Sequence, residues 1–141
     1  MTDLDIAKKK LVSDDLAICI VKNGETIYTS KEKGIYPIYN AYIKMKDELT
    51  DASIADRVIG KAAAMISKSG KISSLYSVII TEEALGLLEN INVEYSKTVP
   101  YIKNRDKTDL CPIEKLSRTT DDTDVLIKKI EGFLKRIERI S

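Results

Sequence analysis

A chain of 141 residues with 43% apolar and 32% charged residues has the composition of one ordinary globular domain. Its formal net charge of +1 excludes general nucleic-acid binding by counterion release, which needs many clustered cations. The absence of histidine excludes a Ser-His-Asp triad, a Cys-His dyad and every histidine-based zinc site.

The N-terminus opens with a short predicted helix over residues 4–12, with Leu4, Ala7, Lys8 and Leu11 at helical spacing and Asp3 as its expected cap. Lys8, Lys9 and Lys10 interrupt any secretory apolar segment, and no run is long enough to cross a bilayer, so a cytoplasmic location without membrane contact is expected. Residues 16–21 form a continuous apolar run of the kind found in a central strand buried on both faces. Cys19 lies within it, as a small buried hydrophobe. Asn23-Gly24 then specifies a two-residue hairpin turn, with residues 25–30 as the returning strand.

Pro37 starts a helix reaching about residue 49, and its tyrosines at 36, 39 and 42 fall near one face as packing groups. The row Ile54, Val58, Ala62 and Met65 predicts a second helix over residues 54–69, capped by Asp51 or Ser53 and ended by Gly70. Residues 75–80 read as a second buried strand. Thr81 caps a helix over residues 82–89, and residues 92–96 alternate as another strand. Pro100 confines any continuation to an edge or a bulge. At the C-terminus, Leu126, Ile130, Phe133, Ile137 and Ile140 define an amphipathic helix from Thr123 to about Arg139, expected to dock on the domain's own sheet, with a homodimer contact as the other use of its apolar stripe. No linker or repeat divides the chain, so residues 1–141 read as one α/β domain, a hairpin followed by strands alternating with helices.

Three stretches carry candidate chemistry. In Asp56-Arg57-Val58-Ile59-Gly60-Lys61, at the start of the predicted 54–69 helix, Arg57 and Lys61 share a face and can hold a phosphate or carboxylate beside free N–H groups. The plainer reading is a solvated helix face. Gly60 within a helix costs roughly 1 kcal/mol against alanine, which points to close packing or close ligand approach. Thr81-Glu82-Glu83 follows a buried strand, where α/β proteins place ligands, although acidic residues there also simply stabilise a helix start.

The third stretch, residues 101–116, concentrates polar, charged and thiol groups in a loop running into a helix that begins at Cys111-Pro112. Asn104, Arg105 and Asp106 are candidate ligand-binding residues. Cys111 is a candidate nucleophile or redox thiol, with Asp109, Asp106 or Glu114 handling protons, against the plainer reading of an inert thiol. The acidic residues lack EF-hand spacing, and no Walker loop or dinucleotide fingerprint occurs, so no metal and no cofactor are expected.

The strings 56–64 (Asp-Arg-Val-Ile-Gly-Lys-Ala-Ala-Ala), 99–106 (Val-Pro-Tyr-Ile-Lys-Asn-Arg-Asp) and 110–116 (Leu-Cys-Pro-Ile-Glu-Lys-Leu) together resemble an uncharacterised prokaryotic family carrying a domain of unknown function, placed in the cytidine deaminase-like fold. The resemblance runs from about Leu16 to Leu116. It implies a three-layer α/β/α sandwich around a mixed sheet. Active zinc deaminases use H-x-E at one helix start and P-C-x-x-C at another. By element order these places fall near Ala55–Arg57 and Thr81–Ala84, where no thiol or imidazole stands, so no zinc chemistry carries over. What the resemblance leaves is a pocket between two helix starts, gathering Arg57, Lys61, Thr81 and the 103–111 loop. The reading is a zinc-free deaminase-fold protein binding a small anionic or nucleotide-like ligand. An enzyme using Cys111 and a homo-oligomeric interaction module are the alternatives.

Overall fold

Two short strands joined by a tight turn begin the sheet, and the parallel strands that follow are separated by helices. The computed structural model describes residues 1–104, 106–137 and 139–140. In chain order the elements are α1 (Asp3–Ser13), β1 (Ile18–Lys22), β2 (Glu25–Ser30), α2 (Tyr36–Met45) with a 3-10 turn (Lys46–Leu49), β3 (Ser53–Ile59), α3 (Lys61–Ser69), β4 (Ser74–Thr81), α4 (Glu82–Leu87), β5 (Asn92–Val99), α5 (Pro112–Ser117) and α6 (Thr123–Arg136). The sheet order is β2-β1-β3-β4-β5. β1 is antiparallel to both β2 and β3, while β3, β4 and β5 are mutually parallel, so the sheet is mixed.

Alternation along β1 divides the interior into two cores. Cys19 and Val21 face α1, where they meet Ala7, Leu11 and Ala55. Ile18 and Ile20 face the opposite way, into the larger core built with residues of α2, α3, α4 and α6. Helices on both faces of one sheet make the expected α/β architecture.

Asn23 and Gly24 both have positive φ, the signature of a type I′ turn, which matches the twist of the flanking strands. Asp3 does not cap α1. Its two carboxylate oxygens instead accept the N–H groups of Asn23 and Gly24, at 2.9 and 2.8 Å. The cap is Thr2, in a reciprocal capping box with Asp5.

The predicted 54–69 helix is overturned. Residues 53–59 are strand β3, buried between β1 and β4, and only residues 61–69 are helical. Gly60 is the extended residue before the helix, not an interior position. Asp51 lies in a left-handed turn, and Ser53 hydrogen-bonds Ser74 through its hydroxyl at 2.6 Å, so neither caps α3. The β3–β4 ladder skips one residue pair between Asp56 and Val58, where the Arg57 N–H turns to the Ala17 carbonyl instead. The register with β4 is the same on either side of Arg57, yet Ile54 and Ile59, five residues apart, both enter the larger core, so β3 does not alternate strictly.

Helix α6 docks on its own chain, with Leu126, Ile127, Ile130 and Leu134 buried. Its main contacts are with α2, α3 and α5 rather than with the sheet. Ile137, at the end of the expected stripe, is exposed. Tyr39 and Tyr42 are buried, so the tyrosine row packs as expected. Among the described residues no helix is long and apolar enough to cross a membrane.

Candidate functional site

Parallel strands end together, and ligands of α/β folds collect beyond those carboxyl ends. At this end of β3 lies a cavity of about 600 Å³, within the range of small-molecule sites. Its walls come from the β2–α2 connection (residues 31–35, with Pro37 and Ile38), the loop after α1 (residues 15–17), the end of β3, the first turn of α3, and Ile102, Cys111, Ile113 and Glu114. Most of the wall is aliphatic. The charged groups are therefore the informative ones.

Asp56 lies towards the end of β3 and faces this cavity. Its Oδ1 accepts the N–H groups of Arg57 at 2.7 Å and Val58 at 3.4 Å. The residue keeps some solvent contact, through the cavity, yet burial pushes its carboxyl up to about 7, against the two backbone donors that favour the charged form. A carboxyl that titrates near neutrality inside a cavity is a hallmark of functional sites. The sequence reading named Asp56 only as a charge at a helix start.

Glu114 is the second inner carboxylate, 4% exposed. Its Oε2 accepts the Ile102 N–H at 3.1 Å, and among the described residues Oε1 has no hydrogen-bond partner. A Cβ on Gly60 would stand 2.6 Å from that Oε1 and 2.8 Å from Ile102 Cδ1. Glycine at 60 is thus explained by close packing: it lets the Glu114 carboxylate lie against the start of α3.

Arg57 lines the cavity, but its guanidinium is largely committed. Nε and Nη2 donate to the carbonyls of Leu16 and Leu11, each at 2.9 Å, closing the C-terminal end of α1, and Nη2 lies 3.7 Å from Asp15. Lys61 does not share a face with Arg57. It opens α3, and its Nζ pairs with Asp121 at 2.9 Å, outside the cavity. Thr81 is also elsewhere, its buried hydroxyl accepting the Ala84 N–H as the cap of α4. Glu82 and Glu83 are exposed at that helix start, as in the structural reading. The deaminase-derived placement near Ala55–Arg57 falls in a strand, so the helix start facing the cavity is that of α3.

The 103–111 loop is a small hairpin closed by a Lys103–Leu110 bridge. Asn104 organises it: its backbone N–H donates to the Asp109 carbonyl, and its side-chain oxygen accepts the Thr108 N–H at 3.2 Å. Asp106 is exposed at the tip, and Arg105 lies outside the described residues. Asp109 accepts from Lys115, which holds its carboxyl below the usual range, and it does not line the cavity. Of the hairpin and its flanks, Ile102 and Cys111 reach the wall. Among the described residues no group of three or more His, Cys, Asp or Glu side chains is arranged to hold a metal ion.

Cys111 stands at the N-cap of α5, half-buried in the cavity wall, whereas Cys19 is fully buried and burial pushes its thiol up. Iodoacetamide at neutral pH is expected to label Cys111 in the native protein and spare Cys19, with both labelled in denaturant. Peptide mapping reads the outcome, and equal protection of the two thiols removes Cys111 as a nucleophile.

Comparison with the curated proteins gives no match. Among solved structures, the chain is similar to the crystal structure of a DUF1893 family protein (TM1506) from Thermotoga maritima, with a TM-score of 0.83 and 25% identity over 94% of this chain and 90% of that one. Residues 6–134 match the family described as TM1506, domain of unknown function DUF1893. A match over that span, together with the shared fold, places the chain in the DUF1893 family.

Proposed function

We propose that this protein binds a small organic ligand with an anionic end, nucleotide-like in size, in the cavity at the carboxyl end of β3. The observation that carries the reading is the cavity's polarity. Its depth is aliphatic with two carboxyl groups, Asp56 and Glu114, while its mouth is exposed and carries Lys31 and Lys33. The acidic groups of the mouth have partners of their own: Glu32 lies 3.7 Å from Arg139, and Asp15 lies 3.7 Å from Arg57. Among the described residues Lys31 and Lys33 have no ion-pair partner, so their charge faces whatever sits at the opening.

The broader kinship fits this reading. A hairpin followed by parallel strands, in the order β2-β1-β3-β4-β5, supports a zinc-free relative of the cytidine deaminase-like fold. A second reading is an enzyme in which Cys111 attacks the ligand and Asp56 exchanges protons. It is favoured by the presence of the thiol and the near-neutral carboxyl in one cavity wall.

The test is a thermal-shift and calorimetric screen of nucleoside 5′-monophosphates. The parent is expected to be stabilised, because a ligand that binds only the folded state raises its stability. Lys31→Glu combined with Lys33→Glu is expected to weaken binding by about tenfold or more, since charge-assisted contacts to phosphate are among the stronger hydrogen bonds. Lys61→Gln, outside the cavity, should bind as the parent does. No response in the parent, or an unchanged response after the two charge reversals, overturns the assignment.

A further inference from the structure

We propose that the ligand enters with a hydrogen-bond-donating cationic end inward, an ammonium or amidinium group taken up by one of the two floor carboxyls, Asp56 or Glu114, while its anionic end stays at Lys31 and Lys33. This rests on the cavity being the binding site and goes further, because it fixes the chemistry of the end that the mouth lysines do not touch.

The cations near the cavity floor are already engaged. Arg57 is tied to the carbonyls of Leu11 and Leu16. Lys61 is paired with Asp121, and Lys115 with Asp109. Among the described residues none of these is directed at Glu114, whose Oε1 is left without a donor although the residue is 4% exposed. Among the described residues Ser67 Oγ is the one fully buried side-chain oxygen or nitrogen without a partner, so the free acceptor capacity of Glu114 is reached from the cavity that its side chain lines, where a ligand donor can meet it. Asp56 likewise keeps acceptor capacity towards the cavity, since both of its hydrogen bonds fall on Oδ1 and the residue is only partly buried. Glu114 lies against Gly60, just past β3 and four residues beyond Asp56, or roughly 13 Å along extended chain. The acceptors are therefore spread along the floor rather than gathered at one point. An anionic or acceptor-only inner end would meet repulsion at either place, in surroundings where charge interactions are poorly screened.

Burial lifts the carboxyl of Asp56 to about 7, and a cation against it would favour its charged form. The aliphatic wall between floor and mouth, from Ile35, Ile38, Ala62 and Ile113, suits the apolar body that joins the two ends.

The experiment uses three series of phosphate monoesters with three to eight methylenes: ω-aminoalkyl, plain alkyl and ω-carboxyalkyl. Isothermal titration calorimetry is run on the full chain. At the best chain length the aminoalkyl ester is expected to bind about tenfold or more tightly than the alkyl ester, as a charge-assisted pair in a cavity should. The carboxyalkyl ester is expected to be the weakest. Asp56→Asn and Glu114→Gln, each checked for folding by circular dichroism, show which carboxyl takes the cation, and at least one of them should reduce the amino preference. Gln at 114 can still accept the Ile102 N–H, so this variant separates loss of charge from loss of packing. Lys31→Glu with Lys33→Glu should weaken all three series alike. If alkyl and carboxyalkyl esters bind as tightly as aminoalkyl esters, or if both carboxyl variants keep the full amino preference, the inward cation is wrong while the mouth assignment stands. If no ester of any series binds the parent, both readings fall.

Discussion

Asp56→Asn is expected to leave the protein more stable than the parent at about pH 8 and equal to it near pH 4. The folded carboxyl titrates at about 7, well above its ordinary 3.8. Between those values the folded state holds a proton that the unfolded chain has released, so the parent loses stability as pH rises through this window. Each pK unit corresponds to about 1.4 kcal/mol, giving at most about 4 kcal/mol at full ionisation, and less because water reaches the carboxyl through the cavity. Asparagine keeps the acceptor for the Arg57 N–H and never ionises. The difference between variant and parent isolates this one group from the other carboxyls, including Asp5 and Asp109, whose lowered values act in the opposite sense. Urea unfolding at three pH values measures it. A parent–variant difference that stays constant from about pH 4 to 8 would show that Asp56 is not buried in the way described.

Removing residues 123–141 is expected to unfold the domain rather than to dissociate an assembly. Helix α6 contributes Leu126, Ile127, Ile130 and Leu134 to the larger core, none more than 8% exposed. Burial of each large side chain stabilises by roughly 1.5–3 kcal/mol. Together they match or exceed much of the roughly 5–15 kcal/mol that holds an ordinary domain folded. The deletion would also bare the surfaces of α2, α3 and α5 on which α6 rests. Circular dichroism and light scattering separate the outcomes. A truncated chain with unchanged thermal stability that only passes from dimer to monomer contradicts the packing described here.

How much of this was readable beforehand differs sharply along the chain. The hairpin was plain because Asn23-Gly24 is a local signal, complete in two residues. Helix α6 was plain because its apolar spacing is regular over several turns. Strand β3 was not. Ile54, Val58, Ala62 and Met65 lie at helical spacing by coincidence of a strand end with a helix start, and Ile54 and Ile59 both enter the larger core although five residues apart, so no strict two-residue alternation shows through. Gly60 was the available clue. A glycine between β-branched residues and an alanine-rich run marks a boundary, and here it is the one residue that lets Glu114 lie against the chain.

Misreading β3 also hid the site. Arg57 and Cys111 were named and do reach the cavity, but Asp56 and Glu114 acquire their character from burial, and burial by distant segments has no local signature. Lys61 and Thr81 were attractive as side chains near helix starts, yet tertiary contacts commit one to Asp121 and the other to capping. The loop at 103–111 drew notice for its charges. Its contribution to the wall is Ile102 at one base and Cys111 at the other.

The most direct test of the cavity as a binding site is a titration with nucleoside 5′-monophosphates followed by amide correlation spectra of the labelled protein. Saturable shifts are expected at Gly34, Gly60, Ile102 and Cys111, which surround the cavity, with Thr81, Glu82 and Glu83 unmoved. Shifts centred on the start of α4, or spectra that do not change at all, would contradict it.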